Sequence, residues 1–188
     1  MKALGIVGSP RKGGNTEYAT NLALQTLAEQ GIETELITLA GKTILPCTAC
    51  GACASAETCP LKDDLLPIYF KMKEADAIIL STPVYMSSAT ALIKGLMERA
   101  GLISRSNGRP FKGKAGGPIV VGRRGGHNFT FAQMNYWYQI LEFYMTGASY
   151  WTIGFGRNKG EVENDAEGKE TIESFAKNLG YLMKKLYA

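Results

Sequence analysis

The sequence has no hydrophobic run of the length a membrane crossing needs; its apolar stretches stop after a few residues. Residues 3 to 8 are too few for the core of a secretion signal, and they run into Pro10, Arg11 and Lys12 rather than a small-residue cleavage site. These two absences set the expectation of a cytoplasmic protein that does not engage a membrane. Basic residues number 21 against 17 acidic ones, and they are scattered rather than collected on one helix, so nucleic-acid binding is not expected. No repeat, low-complexity segment or linker divides the 188 residues. Residues 1–188 are read as a single domain, long enough to bury a core without metal or disulfide support. Two nucleotide signatures are also missing: the Walker loop with its Gly-Lys-Ser/Thr, and the dinucleotide Gly-x-Gly-x-x-Gly.

Cysteine is scarce but concentrated. All four fall between Cys47 and Cys59 as Cys-x2-Cys-x2-Cys-x5-Cys, followed directly by Pro60. Thiolates two residues apart can wrap one loop around three corners of an iron-sulfur cubane, with Cys59 near enough to supply the fourth; ferredoxin runs share this compact opening and its Cys-Pro ending. Zinc favours two cysteine pairs held apart by a longer spacer. The spacing therefore favours a [4Fe-4S] cluster on Cys47, Cys50, Cys53 and Cys59, with zinc, a dithiol or a vestigial site as the other readings.

Taken in order, Ala3 to Val7 is a short apolar run that fits a strand buried on both faces. Gly8-Ser9-Pro10-Arg11-Lys12-Gly13-Gly14-Asn15-Thr16 follows, and then a helix with Ala19, Leu22, Ala23, Thr26 and Leu27 on one face. Helix-start amides and their dipole attract an anion, Ser9 and Thr16 add hydroxyls, and Arg11 adds a planar charged fork. A monophosphate fits this loop; a plain turn with Asn15 or Thr16 as helix cap is the other reading.

Thr34 to Leu39 reads as the second strand and Ala77 to Ser81 as the third. Between them, Asp63 and Asp64 precede Leu65-Leu66-Pro67 as a helix cap rather than a catalytic pair. The third strand runs into Thr82-Pro83-Val84-Tyr85-Met86-Ser87-Ser88, where an aromatic and a thioether offer surfaces for a flat ring, or ordinary packing. Pro118 to Val121 is the fourth strand, closing on Gly122-Arg123-Arg124-Gly125-Gly126-His127. Asn128 to Met145 reads as a helix too apolar for one buried face, so a subunit interface or a local cluster must cover it. Ser149 to Phe155 reads as a fifth strand, and Ile172, Phe175, Ala176, Leu179, Leu182, Met183 and Leu186 mark a final amphipathic helix. The alternation predicts an α/β fold: a doubly wound, five-stranded parallel sheet in the order 2-1-3-4-5, with the cysteine-rich loop, 46–60, after strand two. Ligands are then expected beyond the carboxyl ends of strands one, three and four.

These loops on this topology resemble the flavodoxin-like FMN reductases. The cysteine run makes the chain similar to the iron-sulfur flavoproteins of anaerobic archaea and bacteria, on Gly-Ser-Pro-Arg-Lys-Gly, Pro46 to Cys53, the acidic pair after Cys59, Pro83 to Met86, and Gly125-Gly126. The resemblance implies FMN, its phosphate held by Ser9, Arg11, Asn15 and Thr16, its ring on Pro83, Val84, Tyr85, Met86, Ser87 and Ser88, and its rim near Gly122, Gly125 and Gly126. It also implies the cluster on the four cysteines and a homo-oligomer, dimer or tetramer, in which one subunit's cluster can serve another's flavin. His127 departs from the pattern and is read as a partly exposed loop residue.

A [4Fe-4S] centre passes single electrons while FMN holds one or two, so together they form a converter. The expected activity is an FMN-dependent oxidoreductase taking electrons from a ferredoxin-like donor; the resemblance implies oxygen, peroxide or a quinone as small acceptor. No protein acid, base or nucleophile is required. Two other readings stand beside it: an NAD(P)H-dependent FMN or quinone reductase with a zinc or vestigial cysteine site, and a flavodoxin-like carrier with no substrate of its own.

Overall fold

In the computed structural model, which describes residues 1 to 187, the apolar runs become a parallel sheet. β1 (Lys2–Val7), β2 (Glu33–Thr38), β3 (Ala77–Pro83) and β4 (Ala115–Gly122) lie in the order β2-β1-β3-β4. β1, β3 and β4 are buried over nearly their whole length, which is why they carry continuous small and branched apolar residues instead of alternation.

The expected single fifth strand is corrected. Its place beside β4 is taken by two short segments: β5 (Tyr144–Met145) pairs with Ala115 and Gly116, and β6 (Ile153–Phe155) pairs with Val120 to Gly122. The gap falls at Pro118, which has no N–H for a neighbour on that side. The chain bridges it with Thr152, whose carbonyl accepts from the Val120 amide at 2.9 Å and whose hydroxyl donates to the Pro118 carbonyl.

α1 (Asn15–Ala28) and α5 (Ala166–Tyr187) cover one face, closing over Ala23, Leu27, Ile79, Ile119, Phe175 and Leu179. α2 (Leu65–Glu74), α3 (Ala91–Ser106) and α4 (His127–Ile140) cover the other, over Leu4, Ile6, Ile78, Leu80, Leu96 and Trp137. Each large apolar side chain so buried contributes about 1.5–3 kcal/mol before chain entropy is counted, so the core does not lean on the cysteine loop.

α4 is shorter than its apolar run suggests. It stops at Ile140, because Leu141 and Phe143 turn back into the core. Met134, Trp137 and Tyr138 are buried on its inner side, whereas Phe129, Tyr136 and Ile140 are 77%, 68% and 57% exposed. Spaced seven and four apart, these three share one outward stripe.

Pairing in register aligns the carboxyl ends of the strands: Val7 lies opposite Ser81, Pro83 opposite Val121, and Gly122 opposite Phe155. The segments that follow β1, β3, β4 and β6 therefore emerge along a common edge, where doubly wound sheets place their ligands.

Candidate functional site

At that edge lies an open cleft of about 470 Å³, lined by Ser9, Arg11, Asn15, Thr16, Pro83, Val84, Tyr85 and Gly122 among others. Its end at the loop after β1 is built by local backbone. The buried Ser9 hydroxyl accepts from the Arg11 amide at 3.2 Å, folding the turn. The cap residue of α1 is Gly14, which has no side chain to bond the first amides of the helix and leaves them for an anion. The loop sits close to α3, because a Cβ on Gly8 would lie 2.5 Å from the Ile93 Cβ, and the Thr90 hydroxyl donates to the Gly8 carbonyl at 2.6 Å.

Asn15 lines the cleft, and its side chain also ties two loops together. Its amide nitrogen donates to the Asn158 carbonyl at 2.8 Å and its oxygen accepts from the Gly160 amide at 2.8 Å, tying the phosphate loop to the segment after β6. That tie brings in Arg157 and Lys159, which join Lys12 and Arg123 in the cleft lining. Sequence reading missed these four. Among the described residues, none of the five cations in the cleft, Arg11 included, is held in an ion pair.

The ring segment is a tight hairpin turn. Tyr85 and Ser88 exchange both backbone hydrogen bonds, at 2.9 and 3.0 Å, and Met86 and Ser87 have φ of 49° and 57°. Two successive positive φ values are the mark of a type I′ turn. Pro83, Val84 and Tyr85 wall the cleft. Met86 is fully exposed at the tip, and Ser88 donates to the Gln133 side chain at 3.1 Å; neither they nor Ser87 line the cleft within this chain. Gly122 lines it, Gly125 is open, and Gly126, with φ of 85°, packs so tightly on the turn that a Cβ would lie 2.8 Å from the Ser87 hydroxyl.

His127 is not the partly exposed loop residue expected. It opens α4, is 4% exposed, and stacks on Phe155 at 4.5 Å between ring centres. Burial pushes its pKa below the usual imidazole range, although the Gly122 and Gly154 backbone and the Asp165 charge oppose this, so the ring is neutral at pH 7.

The cysteine loop does leave the carboxyl end of β2, but it does not stay at the sheet edge with the other loops. It runs down the flank of α3: Ile44 and Leu45 pack on Gly95, Arg99 contacts Leu45 and Cys59, and the Asn107 side chain donates to the Cys53 carbonyl at 2.9 Å. Glu57 pins its outer part to α2, accepting from Tyr69 at 2.7 Å and Lys73 at 2.6 Å. The four cysteines line one concavity of about 300 Å³, closed by Arg99, Leu102, Ile103 and Ser106 of α3. At 1.5 Å per residue, the stretch of α3 facing this pocket begins about 14 Å and ends about 24 Å from its cap at Thr90 beside the cleft.

A buried ion pair holds the loop. Asp63 and Arg99 side chains are each 1% exposed. Both guanidinium nitrogens bind the carboxylate, which also accepts from the Leu45 amide at 2.8 Å and the Leu65 amide at 3.2 Å. Burial acts to raise the Asp63 pKa, but Arg99 and the two amides outweigh it and hold the carboxyl below its usual range. The cap position of α2 is Asp64, whose side chain makes no capping bond and instead accepts from the Thr43 amide at 2.7 Å; Asp63, one residue earlier, accepts from the Leu65 amide and holds Arg99.

The donor set suits a polynuclear centre. Four thiols line one cavity, Ala49 and Gly51 take the positive φ values that turn a loop back on itself, and the Ala49 amide donates to Cys47 Sγ at 3.4 Å. Among the described residues no three His, Cys, Asp or Glu side chains are gathered closely enough to hold a metal ion. Hydrogen bonds from Ala52, with lesser help from Thr48, keep the exposed Cys50 thiol below its ordinary pKa.

The family described as NADPH-dependent FMN reductase matches residues 1–158. The chain is 39% identical over 191 residues to an iron-sulfur flavoprotein of Methanocaldococcus jannaschii, covering 98% of both chains. It is 38% identical over 181 residues to an iron-sulfur flavoprotein of Methanosarcina thermophila, covering 95% of this chain and 93% of the relative. Among solved structures, a WrbA-like flavodoxin from Agrobacterium tumefaciens matches with a TM-score of 0.71, 12% identity and 98% coverage of both chains. FerB, a flavoenzyme NAD(P)H:(acceptor) oxidoreductase from Paracoccus denitrificans, matches at 0.70 with 19% identity, over 98% of this chain and 97% of that one. The two solved structures bear on the fold alone. With the cysteine loop and cleft in place, and relatives alike over nearly the full length, the chain belongs to the iron-sulfur flavoproteins within the FMN reductase family and is an FMN-dependent oxidoreductase.

Proposed function

We propose that the protein takes single electrons from a ferredoxin-like donor at a [4Fe-4S] cluster on Cys47, Cys50, Cys53 and Cys59. It delivers them, through FMN in the cleft, to a small acceptor such as oxygen, peroxide or a quinone. The observation that carries this reading is the pairing of sites: one concavity lined by all four thiols, and one cleft with an uncapped helix start and a ring wall, both built against α3. Bound together, the two groups would supply conversion between one-electron and two-electron transfer.

The chain's own residues bind, orient and exclude water. The α1 amides, Ser9, Thr16 and Arg11 would hold the phosphate, and Pro83 to Tyr85 would support the ring. Asn15 keeps the 156–160 segment against the phosphate loop. No side chain need exchange a proton with the acceptor. The separation along α3 is long for transfer within one chain, while the outward stripe Phe129, Tyr136 and Ile140 provides a surface for a second copy. Both observations support a homo-oligomer in which the cysteine pocket of one subunit faces the cleft of another.

NAD(P)H as donor has one observation in its favour: the cleft gathers more cations than a single phosphate requires. The two donors are separated by anaerobic purification with iron, sulfide, zinc and flavin quantified per chain, followed by stopped-flow reduction. Iron and sulfide with fast bleaching by reduced ferredoxin is expected. Zinc in place of iron, with fast bleaching by NADPH alone, overturns the proposal.

A further inference from the structure

Arg99 carries the largest fully buried side chain, at 1% exposure, and it lies against the cysteine loop. Nη2 donates to Cys59 Sγ at 3.1 Å and to Asp63 Oδ1 at 3.1 Å. Nη1 binds Asp63 Oδ2 and donates to the Leu45 carbonyl at 3.2 Å, and Nε is buried without a partner. A buried ion pair is a poor source of stability, because apolar side chains of similar volume hold a fold as well or better. The core here is extensive without it, and the cleft makes no use of it. What an apolar replacement could not do is present a positive N–H to a ligand sulfur.

A thiolate-ligated iron-sulfur core is anionic in either oxidation state and gains one further negative charge on reduction. Donors and positive charge beside its sulfurs therefore favour the reduced form. We propose that Arg99 is a positioning residue that raises the reduction potential of the cluster through its bond to Cys59, and that Asp63 sets how much of the guanidinium charge reaches the sulfur. The proposal rests on the cluster reading given above. The step concerned is arrival of one electron from the donor, with no bond made or broken and no proton required.

The two partners of one pair then have opposite effects, which loop support alone would not produce. The test is an anaerobic redox titration of the iron-loaded protein, following the cluster by electron paramagnetic resonance and the flavin by absorbance. Arg99→Met is expected to lower the cluster potential by at least the 59 mV that corresponds to a tenfold change in the ratio of oxidised to reduced protein for one electron. Asp63→Asn is expected to raise it, and Arg99→Lys, which keeps the charge but loses the fork, to fall between Arg99→Met and the unaltered protein. The flavin potentials, read at the cleft by the Thr90 end of α3, should not move. If Arg99→Met cannot hold iron, Asp63→Asn and Arg99→Lys decide the matter. Potentials that are unchanged, or that shift in one direction for both partners, overturn the proposal while leaving the cluster reading intact. Absence of iron from the unaltered protein overturns both.

Discussion

The cleft and the cysteine pocket are built by different means. The cleft is made mostly of backbone: glycine turns, a free helix start and a type I′ turn, set at the sheet edge by strand register. Its cations are solvent-facing and, among the described residues, in no ion pair. The pocket is an excursion from that framework, held by side chains that reach across the fold: Arg99 to Asp63, Asn107 to Cys53, Tyr69 and Lys73 to Glu57. A backbone site tolerates most single substitutions; a clamped loop concentrates its dependence in a few residues.

The sharpest way to break the comparison is Cys50→Ser. Iron per chain should fall to near zero while bound FMN stays at the level of the unaltered protein, because the residues lining the cleft and those lining the cysteine pocket are separate sets. Loss of both on metal and flavin analysis would show the two regions to be one folding unit.

Next in size is the clamp. Arg99→Ala alone should cost the apoprotein about 3–5 kcal/mol in urea unfolding, since Asp63 is left buried and unpaired. The double change Arg99→Met with Asp63→Leu should recover most of that loss. A double variant as unstable as the single one would show that the pair is needed for the fold itself.

Arg11→Ala probes the other region, and less is expected. Its exposed fork should weaken FMN by about 1.5–3 kcal/mol, the scale of a charge-assisted hydrogen bond. Flavin affinity measured by fluorescence quenching checks this, and unaltered affinity would remove Arg11 from the phosphate site.

The smallest effect is in pH. His127 is depressed below 6.5, so beneath that value the unfolded chain takes up a proton that the folded chain does not. Stability then falls as pH falls, by up to about 1.4 kcal/mol per pH unit for one proton. Asp63 is depressed below 3.8, so its contribution is complete above that value and is lost only in stronger acid. Urea midpoints from pH 7.5 to 5 should slope in the unaltered protein and flatten in His127→Gln.

Much of the fold was readable because it is periodic. β1, β3 and β4 are apolar runs, α5 repeats at three and four, and the loop after β1 carries local chemistry in adjacent residues. What escaped depends on distant pairings. The split edge strand is set by Pro118 against Thr152, and β5 is only Tyr144–Met145, too short to show a pattern. His127 stands in a polar glycine loop, and its burial comes from Phe155 on another strand. Asn15 reads as a phosphate ligand, and nothing near it in sequence shows that the segment after β6 bonds both its amide atoms. Arg99 left one trace: it interrupts the apolar stripe Leu92, Leu96, Ile103 at a position where a leucine would be ordinary.

α3 has a further consequence. It is one unbroken helix whose cap grips the phosphate loop and whose middle and far end carry the cysteine pocket. It therefore fixes the spacing between the cleft and the cysteine pocket within one chain. Lengthening the surface loops would leave their spacing alone. Inserting one residue before Arg99 would turn the pocket by about 100° and advance it by about 1.5 Å, so that it faces a different neighbour altogether.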